Sequence, residues 1–269
     1  MPAVSVIIPC YNQQKYIGQT LDSVLTQTFE DYEIIVINDG STDDSLTIIE
    51  SYVSRFDGKL HILNQKNQGV VSARNNGVEK AKGKWIFPLD GDDKIAPTCL
   101  EKLYAVATAG KGDVIYCLIR SFGAKDECIY FEEPTMLNMC RSNQVCASAL
   151  YRKSDFERYG GYDPSFNDGL EDWDFWLNFI ADDKKFYKVD DILLFYRITE
   201  NSRTSSVNRE KKKEIRHRLK KKYHKLYTKM AFKLFLYKLK NFFYQKKVRN
   251  SKLTIKIFKI PVFFKQINT

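Results

Sequence analysis

Residues 4–12, Val-Ser-Val-Ile-Ile-Pro-Cys-Tyr-Asn, decide the fold class, because a short run rich in β-branched side chains ends in a polar turn. Such a run is typical of a strand that is covered on both faces. Residues 32–37 and 84–89 have the same character. Helical apolar spacing lies between these runs, at 17–26, 44–55 and 70–81, and Gly83 is expected to stop the last helix. The alternation predicts an open, doubly wound α/β sheet.

Polar clusters follow the predicted strands. They are Pro-Cys-Tyr-Asn at 9–12, Asn-Asp-Gly-Ser-Thr-Asp at 38–43 and Asp-Gly-Asp-Asp at 90–93. Because the ligands of such sheets bind beyond the carboxyl ends of the strands, the clusters are expected to share one site. Turn formation and helix capping explain residues 41–44 equally well. Asp39 and the acidic cluster are harder to explain as a turn, since three carboxylates within four residues repel one another.

The acidic cluster has the chemistry of a divalent metal site. Carboxylates at a strand end supply hard oxygen ligands for Mg²⁺ or Mn²⁺, and an ion bound through one or two of them keeps its other positions for water and substrate phosphates. Such an ion would neutralise charge on a diphosphate leaving group. Arg74 could add further positive charge. A D-x-D pattern alone is weak evidence, because it is common in acidic loops.

The net charge of +10 is concentrated at one end of the chain. Residues 209–269 hold 21 Lys or Arg and two acids, so the preceding 208 residues carry a formal charge of −9. The excess of positive charge therefore belongs to residues 209–269 and gives no information about the ligand that residues 1–208 bind.

Cysteine and hydropathy patterns exclude some classes of protein. The six cysteines form no C-x-x-C pair, which argues against a structural zinc site and favours a reducing compartment. No stretch approaches 18 apolar residues without charge, so no membrane span is expected. The first strand-like run begins at Val4, so no secretory leader is expected either.

The motifs together resemble glycosyltransferase family 2, which has the GT-A fold. Val-Ile-Ile-Pro-Cys-Tyr-Asn at 6–12, Ile-Asn-Asp-Gly-Ser-Thr-Asp at 37–43, Asn-Gln-Gly-x-x-x-Ala-Arg-Asn-x-Gly at 67–77 and Leu-Asp-Gly-Asp-Asp at 89–93 occur in the family's order and spacing. The resemblance covers roughly residues 3–206. It implies a nucleotide-sugar-binding half at 1–100 and an acceptor-binding and catalytic half at 101–207. The change in composition predicts a basic amphipathic tail at 208–269.

The resemblance also implies roles in the donor site. Asp39 would accept a hydrogen bond from a ring N–H of uracil, Arg74 would approach the base or the phosphates, and Asp92 would bind the metal, Mn²⁺ or Mg²⁺. Asp93 is expected to support the loop. The other residues expected to bind the nucleotide sugar are Pro9 and Tyr11 beside the base, Asp90 near the ribose and donor sugar, and Asn12 and Gly91 in the same motifs.

The family places its general base in a Glu-Asp pair like Glu171-Asp172. A base is required because a sugar hydroxyl is a poor nucleophile, and a positioned carboxylate contributes about 10² to 10⁴ in rate. We expect Asp172 to be the base and Glu171 to orient it or the acceptor; N-capping of a helix is the alternative for both. Of the nearby aromatic residues Trp173, Phe175 and Trp176, we expect two to be packing and one to be free to stack on sugars.

Residues 196–199, Tyr-Arg-Ile-Thr, depart from the family's Tyr-Arg-x-His segment, in which the His can complete the metal site. Thr199 in that position puts a protein ligand from this side in doubt. Arg197 and Arg203, with Ser202 and Ser205, are candidates for a flexible loop that closes over the diphosphate; a plain surface loop is the alternative.

These parts imply an inverting glycosyltransferase that moves a sugar, UDP-linked by resemblance, to a glycan or lipid-linked glycan acceptor in bacterial surface-polysaccharide synthesis. A nucleotidyltransferase would not use the Glu-Asp pair. The alternative from another class is a non-catalytic sugar-nucleotide-binding subunit of an assembly complex.

Residues 209–269 predict a basic amphipathic helix, with Lys222, Lys225, Lys229 and Lys233 opposite Leu219, Tyr223, Leu226, Met230 and Leu234. Such a helix suits peripheral contact with an anionic membrane, aided by Phe242, Phe243, Phe263 and Phe264. Packing on the body or on a second copy of the chain, as in a homo-oligomer, is the alternative. Nucleic-acid binding is not expected, because the acidic body would repel a polyanion. The predicted location is the cytoplasmic face of the cell membrane.

Overall fold

The computed structural model describes residues 1–199 and 209–249. The chain forms two compact units, Met1–Thr228 and Lys229–Thr269. The first unit therefore extends beyond residue 207, where the sequence places the end of the catalytic part, and it includes the start of the basic segment.

Nine strands alternate with helices along the described chain. The strands are β1 Val4–Cys10, β2 Tyr32–Asp39, β3 Leu60–Gln65, β4 Trp85–Pro88, β5 Lys94–Ile95, β6 Val114–Gly123, β7 Cys128–Ile129, β8 Leu150–Arg152 and β9 Phe186–Ile198. The helices are α1 Ile17–Leu25, α2 Ser45–Ser51, α3 Val70–Lys80, α4 Cys99–Thr108, α5 Met136–Arg141, α6 Lys153–Tyr159, α7 Glu171–Ala181, α8 Arg209–Lys222 and α9 His224–Arg249. Short 3₁₀ helices occupy Val53–Phe56 and Pro164–Phe166.

The strands form one mixed sheet in the order β3-β2-β1-β4-β8-β6-β9-β5, with β7 paired to β6. The first four are parallel, β8 is antiparallel to both β4 and β6, and β6 and β9 are parallel. Cys10 lies opposite Asn38, and Asp39 lies opposite Gln65, so the polar clusters after the parallel strands meet at one edge. The predicted α/β class with an open mixed sheet is confirmed.

The core forms around β1 and β2, which are buried at every position. Helix α3 packs closely on this part of the sheet because Gly77 has no side chain. A Cβ at Gly77 would lie 2.6 Å from Ile37 Cδ1 and 2.7 Å from Ile7 Cγ2. This close approach brings the N-terminal turn of α3 to the edge of the sheet where the polar clusters lie.

Two local predictions differ from the structure. The helix expected over 44–55 is interrupted, with α2 followed by the 3₁₀ helix and by Asp57 in a left-handed conformation (φ 47°). Gly83 does not stop α3, which already ends at Lys80. A Cβ at Gly83 would lie 2.6 Å from the backbone nitrogen of Ser5, so this glycine is required by close contact with β1.

Helix α8, the first part of the basic segment, docks on the body through ion pairs. Lys222 Nζ lies 2.7 Å from Asp163 Oδ2 and 2.8 Å from Asp174 Oδ2. Asp168 Oδ2 receives both Lys211 at 2.9 Å and Arg218 at 2.5 Å. These contacts hold the helix within the first unit.

The apolar face expected to enter a membrane is covered in this part of the chain, since Ile215 and Leu219 are buried and Tyr223 Oη donates to the Asp174 carbonyl at 2.8 Å. Residues 209–223 therefore pack on the body, which is the alternative that the sequence left open for the basic segment. Among the helices that the structure describes, none combines the length and apolar character that a membrane span requires. Phe263 and Phe264, proposed as membrane anchors, lie outside the described residues, as do the side chains of Phe242 and Phe243.

Candidate active site

The three polar clusters line one open cavity of about 570 Å³ at the carboxyl edge of the parallel strands. Most of the residues expected to bind the nucleotide sugar line it, namely Pro9, Tyr11, Asp39, Arg74, Asp90, Gly91 and Asp92. We call this the donor cavity. Asn12 is not among its lining residues, although it neighbours Tyr11, which is 47% exposed.

Asp39 is buried and its carboxylate holds the loop before α3. Its Oδ1 accepts from Gln65 Nε2 at 2.7 Å and from the Gln68 backbone N–H at 2.8 Å, and its Oδ2 accepts from the Gly69 N–H at 2.8 Å. The sequence did not reveal this structural duty. The role of Asp39 as acceptor for a base N–H stays a prediction, for which Oδ2 retains accepting capacity.

Asn12 and Asp43 link the loops after β1 and β2. Asn12 adopts a positive φ of 52°, and its Oδ1 accepts from the Thr42 N–H at 2.8 Å. Asp43 accepts from Ser45 and from the Gln14 N–H. Desolvation would raise the pKa of Asp43, but these hydrogen bonds outweigh it and lower the pKa. Asp43 therefore stabilises the turn before α2, which is the alternative that the sequence left open for residues 41–44.

Arg74 is fully buried and bridges two carboxylates. Its Nη2 donates to Asp90 Oδ1 at 2.6 Å, and its Nη1 donates to Glu171 Oε1 at 2.8 Å. Burial acts to lower its pKa, but Asp90 and Glu171 outweigh that effect and raise it. The guanidinium also lies 5.6 Å from the ring centre of Tyr162. The expected donor-site arginine is thus a charged link between Asp90, which follows β4, and Glu171 at the start of α7.

Asp93 supports the loop, as expected. Its side chain is buried and its Oδ1 accepts from the Arg197 N–H at 2.8 Å. Burial, together with the neighbouring charges of Asp90 and Asp92, raises its pKa well above the usual range. Asp93 therefore fixes the position of Asp92 on the wall of the donor cavity.

The donor set fits a divalent ion that takes most of its ligands from water and substrate. Asp90 and Asp92 offer carboxylate oxygens on the wall of one cavity, which is the usual protein share of a Mg²⁺ or Mn²⁺ site beside a diphosphate. Over residues 1–199 and 209–249 no group of three His, Cys, Asp or Glu residues could hold a metal by itself. Because Thr199 stands in place of the family's His, the described residues offer two metal ligands at this site, the carboxylates of Asp90 and Asp92.

A second cavity, of about 300 Å³, adjoins the donor cavity and contains Glu171 and Asp172. Arg74, Asp90 and Tyr196 line both cavities. We call it the acceptor cavity. The predicted base and the predicted donor residues, which are 80 or more positions apart in sequence, therefore lie in one continuous site.

The contacts of Asp172 include two hydrogen bonds with described residues. Its Oδ2 accepts from Asn143 Nδ2 at 2.8 Å, and its Oδ1 accepts from the Trp173 N–H at 2.7 Å. The second bond satisfies a first-turn donor of α7, so Asp172 caps this helix, while its role as the general base stays a prediction. Leu170, directly before the helix, adopts a left-handed conformation with φ 62°, which is strained for a side chain of this size.

Two asparagines of the site carry no sequence signal. Asn143 belongs to the irregular stretch between β7 and β8, where no motif points to it. Asn167 lines the donor cavity, and its Nδ2 donates to the Gln68 carbonyl at 3.2 Å. Only the tertiary fold brings these side chains to the loops that carry Asp172 and Asp39.

The aromatic residues after the Glu-Asp pair are all core residues. Trp173 is 2% exposed, Phe175 and Trp176 are fully buried, and Trp173 Nε1 donates to the Met139 carbonyl at 2.8 Å. The expectation that one of the three remains free to stack on a sugar is wrong, because α7 packs between Tyr151 and the strand that carries Phe186.

Arg197 lies in β9 and not in a flexible loop, which corrects the expectation for this residue. Its guanidinium lies 4.5 Å from the ring centre of Tyr16 and 4.3 Å from that of Phe122. Its Nε donates to the Asp92 carbonyl at 2.7 Å. Ser202, Arg203 and Ser205 lie outside the described residues, so closure over the diphosphate stays a prediction for them.

The fold is that of the GT-A glycosyltransferases. The Staphylococcus aureus protein TarS, solved with UDP-GlcNAc, matches with a TM-score of 0.67 at 24% identity over 77% of this chain and 62% of that one. The mannosyltransferase PcManGT of Pyrobaculum calidifontis, solved with GDP-Man and Mn²⁺, matches with a TM-score of 0.61 at 16% identity over 76% of this chain and 59% of that one. The model of the glycosyl transferase family 2 matches residues 5–160, and the chain belongs to this family.

Curated relatives are similar over part of their length. The uncharacterized glycosyltransferase EpsJ of Bacillus subtilis (strain 168) is 39% identical over 117 residues, which is 44% of this chain and 34% of that protein. The uncharacterized glycosyltransferase RP339 of Rickettsia prowazekii (strain Madrid E) is 30% identical over 215 residues, which is 75% of this chain and 64% of that protein. The chain thus spans about a third of EpsJ and under two thirds of RP339.

Proposed function

We propose that the protein is an inverting glycosyltransferase that transfers a sugar from a nucleoside diphosphate to an acceptor hydroxyl. The observation that carries the proposal is the Arg74 bridge. One guanidinium pairs with Asp90 of the donor cavity and with Glu171, the neighbour of Asp172, in the acceptor cavity. A donor and an acceptor in these cavities would therefore meet beside the Asp172 carboxylate.

Asp172 acts as the general base in this mechanism. Its carboxylate takes the proton of the acceptor hydroxyl while that oxygen attacks the anomeric carbon of the donor. The bond from the anomeric carbon to the phosphate oxygen breaks, and the nucleoside diphosphate leaves from the opposite face, so the configuration inverts. Asn143 holds the base in place through the bond from its Nδ2 to Asp172 Oδ2.

Asp92, with Asp90 beside it, would hold a divalent ion, Mn²⁺ or Mg²⁺. When bound, such an ion supplies charge neutralisation at the leaving diphosphate. Arg197 keeps Asp92 in position, because its Nε donates to the Asp92 carbonyl and its backbone N–H donates to the adjacent Asp93 carboxylate.

UDP is the proposed nucleotide of the donor. The family motifs support UDP, and TarS binds UDP-GlcNAc within the same fold, but PcManGT binds GDP-Man. The fold therefore leaves the nucleotide open. Titration of UDP, GDP and CDP into the protein with and without Mn²⁺ tests the choice, and we expect UDP alone to bind, dependent on the metal and lost in Asp92→Ala. Failure of all three nucleotides to bind would contradict the enzymatic proposal.

A non-catalytic sugar-nucleotide-binding subunit is the second candidate, because the chain spans only part of several relatives. The variant Asp172→Asn separates the two functions. An enzyme would lose turnover by about 10² to 10⁴ while its affinity for UDP stays unchanged. A binding subunit would show no donor turnover in either form.

The setting that we propose is the cytoplasmic face of a bacterial membrane, with a lipid-linked or polysaccharide acceptor. The support is the chemistry of α9, where Phe232 is 70% exposed and Phe235 is 56% exposed beside Lys229 and Lys233. Exposed aromatic rings among lysines suit an anionic lipid interface.

Vesicle flotation tests this setting. The protein should float with phosphatidylglycerol vesicles and not with phosphatidylcholine vesicles, and the double variant Phe232→Ser, Phe235→Ser should remain in solution. Tyr130→Ser is the matched control, since Tyr130 is 81% exposed on the body. Equal flotation of the double variant would contradict membrane contact through α9.

A further inference from the structure

The basic helix α8 forms part of the wall of the acceptor cavity. Lys212 and Ile215 line this cavity together with Glu171 and Asp172. Ile215 is fully buried, and the ion pairs of Lys211 and Arg218 with Asp168 fix the helix on either side of these two residues. The basic segment, for which the sequence predicts membrane contact, thus lines the same cavity as the proposed base Asp172.

The cavity combines an apolar wall with a few charged groups. Apolar side chains from β6, β7, β9, α8 and the segments after β7 and before α7 line the cavity with the carboxylates, namely Ile119, Ile129, Phe131, Leu170, Leu194 and Ile215. A volume of about 300 Å³ is at the lower end of the range for small-molecule sites and suits one sugar-sized group. The polar groups therefore decide which kind of group is accepted.

Lys212 is an exposed lysine that lines the acceptor cavity, and its surroundings differ from those of the cations Arg74 and Lys222. The charge of Arg74 is matched by Asp90 and Glu171, and Lys222 is matched by Asp163 and Asp174. Lys211, Arg218 and Lys222 of the same helix pair with acids, whereas no ion pair within the described residues includes Lys212. A cation without a partner at the wall of an apolar cavity is a site for an anion.

We propose, resting on the glycosyltransferase function above, that the acceptor carries an anionic group, a phosphate or a carboxylate, which Lys212 binds while the acceptor hydroxyl faces Asp172. The ammonium offsets the repulsion that the carboxylates of Glu171 and Asp172 would exert on such an acceptor. Ile215 covers the apolar face of the same sugar. Among the described residues, Lys212 is thereby the side chain that favours charged acceptors over neutral ones.

The test uses one neutral sugar, glucose, and two anionic derivatives of it, glucuronic acid with a carboxylate and glucose 1-phosphate with a phosphate. Their dissociation constants are measured by calorimetry on the full chain with UDP present, at low and high NaCl. We compare the wild-type protein with Lys212→Ala, Lys212→Arg and Lys213→Ala. Lys213 is the matched control, because it is an exposed lysine of the same helix that does not line the cavity.

We expect an anionic sugar to bind the wild-type protein about five- to tenfold more tightly than glucose, since a charge-assisted hydrogen bond is partly screened at an open site. Lys212→Ala should remove this preference, Lys212→Arg should keep most of it, and Lys213→Ala should keep all of it. The preference should also shrink as NaCl rises. Whichever of the two anionic sugars binds identifies the group as phosphate or carboxylate.

Equal binding of the three sugars by the wild-type protein, no binding of either anionic sugar, or an unchanged preference in Lys212→Ala would overturn the proposal. The UDP titration separates this failure from failure of the enzymatic function. A protein that binds UDP but shows no charge preference remains a candidate glycosyltransferase with a neutral acceptor. A protein that binds no nucleotide loses both proposals.

Discussion

Arg74 shows how one buried residue joins two parts of a site. Its guanidinium is taken out of water between Asp90 and Glu171, and Glu171 is itself only 2% exposed. Burying charges is costly unless each has a partner, so the three groups stabilise the fold only as a set.

Replacement of Arg74 by Ala should therefore be severe. We expect a loss of about 3–5 kcal/mol in the free energy of unfolding, because a buried carboxylate is left without its partner. Urea unfolding followed by tryptophan fluorescence measures the change. Arg120→Ala, which breaks the exposed pair with Asp126, is the control and should leave the urea midpoint unchanged.

Asn143 should affect turnover more than binding. Without its bond to Asp172 Oδ2, the base is free to rotate away from the acceptor, and we expect Asn143→Ala to lower kcat about ten- to hundredfold. The affinity for UDP should not change, since Asn143 lies in the acceptor cavity. A variant with normal kcat would mean that the hydrogen bond does not position the base.

At the scale of single elements, the seat of α3 on the sheet depends on Gly77. Alanine at this position would place a methyl group against Ile7 and Ile37, and we expect Gly77→Ala to destabilise the protein by about 1–3 kcal/mol. Gly18→Ala in α1 is the matched control. Its Cβ would meet its nearest atom, Tyr52 Oη, at 3.4 Å, so better helix propensity should leave stability unchanged or slightly raised. Thermal melting of both variants decides between these outcomes.

The docking of α8 should weaken in acid. Burial acts to raise the pKa values of Asp163 and Asp168, but hydrogen bonds from Lys222 to Asp163, and from Lys211 and Arg218 to Asp168, outweigh it and lower both. A carboxylate with a lowered pKa in the folded state stabilises the fold above its unfolded pKa, and that contribution is lost as the pH falls through the folded value.

Asp174 opposes this trend, because its burial outweighs Lys222 and raises its pKa, so its protonation favours the folded state. We expect a net loss of α8 docking below about pH 4, where carboxylates of ordinary pKa become protonated. Tryptophan fluorescence of Trp173, whose ring lies 5.6 Å from the Arg216 guanidinium, reports the change. In Asp168→Asn the acid-induced transition should be smaller; an identical transition would exclude this ion pair as its cause.

At the scale of the whole molecule, the boundary between the two units predicts the effect of truncation. A chain that ends at Thr228 keeps α8 and its ion pairs, so we expect it to melt like the full chain and to bind UDP. A chain that ends at residue 208 lacks these ion pairs and exposes the apolar surface that Ile215 and Leu219 cover, so it should melt at a lower temperature. Equal melting of the two truncated chains would show that α8 does not stabilise the body.

The sequence by itself determined the fold class, the family and most of the residues around the donor cavity. Buried parallel strands require continuous β-branched runs, and the residues that follow them must meet at one edge. Local patterns of this kind are encoded over ten residues or fewer. For that reason the clusters at 9–12, 38–43 and 90–93 were predictable without any knowledge of distant contacts.

Only the tertiary structure decided which distant groups touch. Asn143 and Asn167 belong to irregular segments and Lys212 to a lysine-rich helix, and their positions depend on how β6, β8 and α8 pack against the sheet. The same packing assigned Trp173, Phe175 and Trp176 to the core and placed α8 on the body. Periodicity tells which face of a helix is apolar, but the surface that covers this face is a property of the folded chain, because burial is set by contacts between elements.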